Sequence, residues 1–298
     1  GALGFLGTNS DYDLQGDVKA VYAELQVPVF ETLNLQLAAR YEDYGGATGS
    51  TFDPQIRARW QVTDWLAIRG GFGTTFRAPP LNVLTNNSVT ALQIIDTAFR
   101  PIDVTGNPNL VPESSKNFGG GILINAGGFS ASLDYYRYEI EDVIVADPLI
   151  SMVNTLFPST GGNTCATNAG LAARFTFSSG ACVPTGGPGT PTARTAISRV
   201  KTFWQNGASI TSEGLDAVVG YRNNEMFGGA ARFAIGGNVT YTLQNRISDI
   251  YVAGTLVQAG YDGVGLLNYQ TTLYPVPEWK GQGDLELGAG PVDARLTV

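Results

Sequence analysis

The sequence predicts an all-β protein, a transmembrane antiparallel up-and-down β-barrel of which about ten strands are present. Three observations predict it. Long stretches alternate apolar and polar residues with a period of two, the period of a strand with two different faces. Very short turns alternate along the chain with long polar loops, the lopsided hairpins of an outer-membrane barrel. One face is nearly free of charge, whereas the other carries Glu24, Arg40, Arg57, Arg59, Arg69, Arg77, Asp134, Asp216, Arg232, Asp284, Glu286, Asp293 and Arg295.

Composition agrees. The 298 residues include 38 Gly, 13 Tyr and 14 Phe but only 15% charged side chains, a mixture suited to strands and turns rather than long helices. Mean hydropathy is +0.01, and no apolar run approaches the ~18 residues of a spanning helix. A membrane strand escapes that test, because only every second residue needs to be apolar.

Residues 1–16 read as the end of a loop, in which Asp11 and Asp13 are too few carboxylates for a calcium site. The first strand sets Val21, Ala23, Leu25 and Val27 against Tyr22, Glu24 and Gln26. After a short turn, Leu33, Leu35, Leu37, Ala39 and Tyr41 share one face, opposite Asn34, Gln36, Ala38, Arg40 and Glu42. A third strand opposes Ile56, Ala58, Trp60 and Val62 to Gln55, Arg57, Arg59 and Gln61, and a fourth carries Leu66, Ile68, Phe72 and Phe76 against Arg69, Thr75 and Arg77. Residues 78–112 read as a long polar excursion.

Phe118, Ile122 and Ile124 alternate with Asn117, Gly119 and Gly121, and Phe129, Ala131, Leu133 and Tyr135 with Ser130, Ser132, Asp134 and Tyr136. Residues 146–199 read as one long extracellular loop holding Cys165 and Cys182; a disulfide there would add about 3 kcal/mol and fits an oxidising compartment, with two free thiols as the alternative. Leu215, Ala217, Val219 and Tyr221 begin the next strand pattern, and Ala231, Phe233, Ile235, Val239 and Tyr241 the one after. Residues 244–265 read as loop. A return stretch leads to Leu285 and Leu287, and Val292, Ala294, Leu296 and Val298 close the series. Aromatic girdles would take Tyr41, Tyr44, Phe76, Tyr135 and Tyr241 at the loop ends and Trp65 and Phe129 at the turn ends. Neither terminus looks natural, so the chain reads as a fragment of one barrel domain, residues 1–298.

Chemistry is sparse. With no histidine, no His-based triad or metal site can be built, and no catalytic or metal-binding residue is assigned. Net charge of −8 excludes a phosphate-neutralising nucleic-acid surface, and no cofactor motif is present, since Gly119–Gly121 and Gly186–Gly187 lack the strand-to-helix context of a phosphate cradle. The pairs Glu139/Glu141 and Asp284/Glu286 read as pore or rim charges rather than acid–base pairs. Candidate ligand contacts are Arg77, which a carboxylate could equally claim, and the loop aromatics Phe157, Phe175, Phe177, Phe203 and Trp204.

Several segments together resemble the TonB-dependent outer-membrane receptors. They are Phe76-Arg77-Ala78-Pro79-Pro80, Asn107-Pro108-Asn109-Leu110-Val111-Pro112-Glu113-Ser114, the run from Tyr135 to Ile144, Gly214-Leu215-Asp216 and Pro277-Glu278-Trp279-Lys280, in that order over nearly the whole chain. The resemblance implies the C-terminal half of a barrel of about 22 strands, roughly its strands 10 to 19, around an N-terminal plug. It also implies residence among outer-membrane lipids of a Gram-negative bacterium and import of a small-molecule nutrient, a ferric siderophore before a saccharide, vitamin or peptide. Energy would come from a TonB-type periplasmic protein through a plug and TonB box that this sequence lacks. A passive porin-like or adhesive barrel and a soluble carbohydrate-binding or enzymatic β domain are the competing readings.

Overall fold

The protein is described by a computed structural model over residues 13–46, 48–266 and 276–298. The expected opening loop, with Asp11, and most of the return stretch before Pro277 lie outside the described residues.

Ten strands form one antiparallel wall in the order β1, β2, β3, β4, β7, β8, β10, β11, β15, β16. They are β1 (Lys19–Phe30), β2 (Leu33–Asp43), β3 (Ser50–Gln61), β4 (Leu66–Arg77), β7 (Glu113–Ala126), β8 (Phe129–Ala146), β10 (Ile197–Met226), β11 (Ala231–Ile247), β15 (Trp279–Ala289) and β16 (Val292–Thr297). Sequence neighbours in this series are always spatial neighbours, the up-and-down order expected, and β1 and β16 stand at the two open edges. The connections at one end are short turns. At 127–128 both central residues are glycines with φ of 56° and 85°, the positive pair that a tight hairpin with right-handed twist requires.

Register joins the predicted faces across strands. Leu25 stands opposite Leu37, Leu37 opposite Ile56, Ile56 opposite Phe72, and Phe72 opposite Phe118. The band continues through the pairs Ile122–Leu133, Leu133–Ala217, Ala217–Val239, Ile235–Leu285 and Leu285–Leu296. Directly paired residues point to the same side, so this is one apolar surface, and it is not a core: Leu25 is 58% exposed and Ile56 44%. Leu35 and Arg40 fall on opposite faces of an unbroken β2, as a two-sided wall demands.

At the other end the expected loops are folded. Within 78–112 a hairpin of β5 (Ser88–Ile95) and β6 (Ala98–Thr105) turns at Asp96. The 146–199 segment holds α1 (Leu149–Leu156), α2 (Ala169–Ala172) and β9 (Phe175–Phe177), and Cys165 and Cys182 are disulfide-bonded with Cα atoms 6.2 Å apart. In place of a loop over 244–265, β11 runs on to Ile247 and is followed by β12 (Ile250–Val252), β13 (Thr255–Gln258) and the short β14 (Tyr261–Asp262). Strand β10 starts at Ile197, well before the Leu215 pattern, and its first residues pair with β6 and β9.

These three connections share one core. Ile102 of β6, Met152, Val153 and Leu156 of α1, Leu171 of α2, Ile197 and Val200 of β10, and Ile247, Ile250 and Val252 from β11 and β12 are each at most 1% exposed. The register steps past Leu243, which turns Asn245 and Ile247 to the polar side of the wall, and Ile210 opposite Ile247 packs against the same core. The folded connections therefore form a cap on the inner side of the wall, at the end away from the short turns.

Candidate functional site

The polar face of the wall carries cross-strand ion pairs, because alternation puts long charged side chains on one side and register brings opposite charges together. Arg69 on β4 donates from Nε and Nη2 to the two carboxylate oxygens of Asp134 on β8, each at 2.7 Å. It reaches across Gly121 of β7, where a Cβ would run into the Asp134 carboxylate. Arg222 and Arg295 both reach Glu286, at 3.1 and 3.5 Å, and Arg232 pairs with Asp293. Beside the Arg69–Asp134 pair lies a cavity of about 950 Å³, lined by Asn34, Gln36, Arg57, Asn117, Tyr136 and Asp216 among others.

Arg77 marks the junction of wall and cap. Its guanidinium forks onto Glu113 with two 2.6 Å bonds, and the Glu113 carboxylate, nearly buried, also accepts the Ile144 N–H at 2.7 Å. Pro79 and Pro80 then end the strand and lead into a 3-10 turn at Leu81–Val83. The Val83 carbonyl accepts the Asn107 N–H at 2.6 Å, and Leu110 is fully buried with Val83 and Ile144. The Phe-Arg-Ala-Pro-Pro and Asn-Pro-Asn-Leu segments, far apart in sequence, thus build one joint.

The aromatic candidates separate into two sets. Phe157, Phe175 and Phe177 are inside the cap: Phe175 and Phe177 stack at 6.2 Å, Phe157 meets Phe177 edge-on at 6.0 Å, and each is 6–7% exposed. Phe203 and Trp204 are half-buried at the joint. Arg174 lies over the Phe203 ring, 4.1 Å from its centre, and Asn107 donates from its side chain to the Trp204 carbonyl at 3.1 Å. Asp147 beside them is buried, and burial pushes its carboxyl above the usual range against the opposing pull of the Phe203 N–H and the Arg174 guanidinium.

Glu139 and Glu141 are rim charges on the outward face. They belong to a network with Arg137, Lys116 and Glu213, in which Arg137 reaches Glu139 at 2.6 Å and Glu213 at 2.9 Å, and Tyr135 also donates to Glu213. This belt stands just beyond the outward-facing contacts of Phe118 with Tyr135 and Tyr241 with Trp279, the level where aromatics give way to charge at a membrane surface. Among the described residues no cluster of three His, Cys, Asp or Glu is arranged to hold a metal ion, and no helix is long and apolar enough to cross a membrane.

Comparison with known proteins places this geometry. The ferric enterobactin receptor PirA of Pseudomonas aeruginosa is 27% identical over 153 residues, half of this chain and 20% of the relative. The heme/hemopexin utilization protein C of Haemophilus influenzae is 25% identical over 151 residues, 45% of this chain and 21% of the relative. The chain thus spans about a fifth of the curated relatives it matches. The crystal structure of the siderophore receptor PirA from Acinetobacter baumannii superposes with a TM-score of 0.58 at 18% identity, covering 94% of this chain and 32% of that one. The RagAB peptide transporter superposes with a TM-score of 0.57 at 14% identity, over 94% of this chain and 33% of that one. A family model described as "TonB dependent receptor-like, beta-barrel" matches residues 2–293. The chain belongs to the TonB-dependent receptor β-barrel family, proteins of the Gram-negative outer membrane.

Proposed function

We propose that this chain is the wall and cap of a receptor that captures a scarce nutrient at its loop end and imports it with energy from a TonB-type periplasmic protein. The observation that carries this reading is the cap, an ordered roof on the inner side of a wall whose other side is greasy. A passive pore is open above its lumen, whereas a receptor needs a shaped surface there. A ferric siderophore is the first ligand class, in keeping with the ferric enterobactin receptor among the relatives. The loop end is the extracellular one, and the 146–199 segment, closed by its disulfide, is the greater part of the receptor surface. Phe203 and Trp204 at the joint are the side chains placed to meet ligand. Phe157, Phe175 and Phe177 serve by holding the cap in shape, and Arg77 by fixing the joint.

Uptake in a deletion strain, measured for ferric siderophores, haem, cobalamin, oligosaccharides and peptides, tests the reading. Loss for ferric siderophores alone is the expected result, and unchanged uptake of every ligand would overturn import. In the complemented strain Phe203→Ala/Trp204→Ala should weaken ligand binding while leaving the amount of folded receptor in the membrane unchanged.

A further inference from the structure

Eight arginines face the lumen from the wall: Arg40, Arg57, Arg59, Arg69, Arg77, Arg222, Arg232 and Arg295. Six of them hold a carboxylate, provided by Glu42, Asp134, Glu113, Glu286, Asp293 and again Glu286. Arg57 and Arg59 hold none among the described residues. They are neighbours on one face of β3, two residues and therefore about 7 Å apart.

Their direct cross-strand neighbours carry no carboxylate, and nearby Glu24 accepts from the Gln36 side chain at 2.7 Å. Arg57 stands between Gln36 on β2 and Gly71 on β4; Arg59 stands between Asn34 and Arg69. Like charges directly opposite each other are unfavourable, and Arg69 leaves Arg59 by turning across Gly121 to Asp134. Arg59 is left with a 2.8 Å bond to the Gln61 side-chain oxygen. A Cβ at Gly71 would sit 3.1 Å from Arg57 Cγ, so the glycine lets the Arg57 stem lie against the wall and keeps the space above it open. Both guanidiniums border the 950 Å³ cavity, whose lining adds the neutral amides of Asn34, Gln36, Gln55 and Asn117 and two carboxylates already engaged, Asp134 by Arg69 and Asp216 by the Thr240 hydroxyl at 2.6 Å.

We propose that Arg57 and Arg59 form an oxyanion site on the lumen wall, taking a carboxylate from whatever occupies the lumen. Two guanidinium forks, each with donors matched to a planar carboxylate, supply the charge, and the amides supply neutral donors around it. The carboxylate can be that of a small molecule or an Asp or Glu of polypeptide lying in the lumen; the chemistry is shared and the experiment separates the sources. The site rests on the barrel reading, but no step of its test depends on import.

The test uses the full-length receptor in detergent, with citrate as the probe, and compares the native protein with Arg57→Gln/Arg59→Gln and Arg57→Lys/Arg59→Lys. Citrate binding that falls tenfold or more in the Gln variant and is largely kept in the Lys variant supports a site open to small oxyanions. Absence of citrate binding, together with a Tm of the Gln variant that is lowered at low salt, restored by lysine and equal to the native value near 1 M salt, supports a carboxylate from the polypeptide. A Gln variant matching the native protein in both measurements overturns the site. So does equal loss in the Gln and Lys variants, which would mark a packing effect.

Discussion

The wall and the cap solve the burial of apolar side chains in opposite directions. In the wall, Leu25, Ile56 and Phe72 lie on the outside and arginine and carboxylate lie within. In the cap, Met152, Leu156 and Leu171 are fully buried, as in any water-soluble domain. One chain therefore obeys two solvents, and the boundary runs where Arg77, Glu113 and Leu110 join them. The strands need no core because lipid covers their apolar side and, inside the two open edges, neighbouring strands pair their backbone groups along the wall. The cap has no lipid and must enclose its own apolar surface.

The same truncation should have unequal consequences in the two regions. Leu156→Ala removes a fully buried side chain from the cap and should destabilise it by about 2–5 kcal/mol, read as faster amide exchange in α1 and β9, with exchange in β2 and β3 unchanged. The same truncation at Ile56, exposed to lipid, should have little effect. Ile56→Arg should instead cost about 2–4 kcal/mol of barrel stability and lower the yield of heat-modifiable folded receptor. Arginine at an exposed cap position such as Ile150 should be tolerated, and equal sensitivity at the two positions would contradict the two-solvent account.

The difference also decides what a reader of sequence can see. The wall was legible because its period is two and its faces differ in kind: the stretch from Leu33 to Tyr41 announces both face and strand. What the stretch could not announce was partnership. Arg57, Arg59 and Arg69 look equivalent in sequence, and only register, which brings Asp134 within reach of Arg69 from 65 positions away, separates the paired from the unpaired. The cap is not legible in the sequence, although its signals are present. Leu149, Met152, Val153 and Leu156 recur at helical spacing, and the residues on either side of Asp96 and Thr97 form a hairpin. The glycine, proline and threonine around them read as loop, and the apolar residues that complete their core come from three distant segments. The packing of Phe157, Phe175 and Phe177 was hidden for the same reason.

The disulfide sharpens the contrast further. Cys165 and Cys182 close a short loop against Asn163, whose side-chain amide donates to the Val183 and Thr192 carbonyls at 2.9 and 3.0 Å. Reduction, or Cys165→Ser/Cys182→Ser, should loosen the cap by at most about 3 kcal/mol, because the Asn163 bonds survive. The expected signature is protease cleavage within 178–192 on a receptor whose barrel still resists heat in detergent. Cleavage in the wall strands instead would mean that cap and wall unfold as one unit.

The smallest effect concerns Asp147, at the joint between the two regions. Its carboxyl is buried, and its Oδ2 accepts the Phe203 N–H at 3.0 Å with the Arg174 guanidinium 4.0 Å away. Burial raises its pKa above the unfolded value of about 3.9, so the folded cap keeps the proton to a higher pH than the unfolded chain does. Between the two pKa values the native state binds more protons, so cap stability from this group is greatest below pH of about 4, falls as pH rises through the folded pKa, and is flat above it. Asp147→Asn keeps the size of the side chain and removes the titration, so its cap should show a shallower fall of amide protection across that window. The wall strands should show no difference between the two proteins at any pH. An Asn variant whose cap loses protection in parallel with the native protein would assign the pH dependence to another group, and one that changes protection in β2 or β3 would show the joint coupling the cap to the barrel.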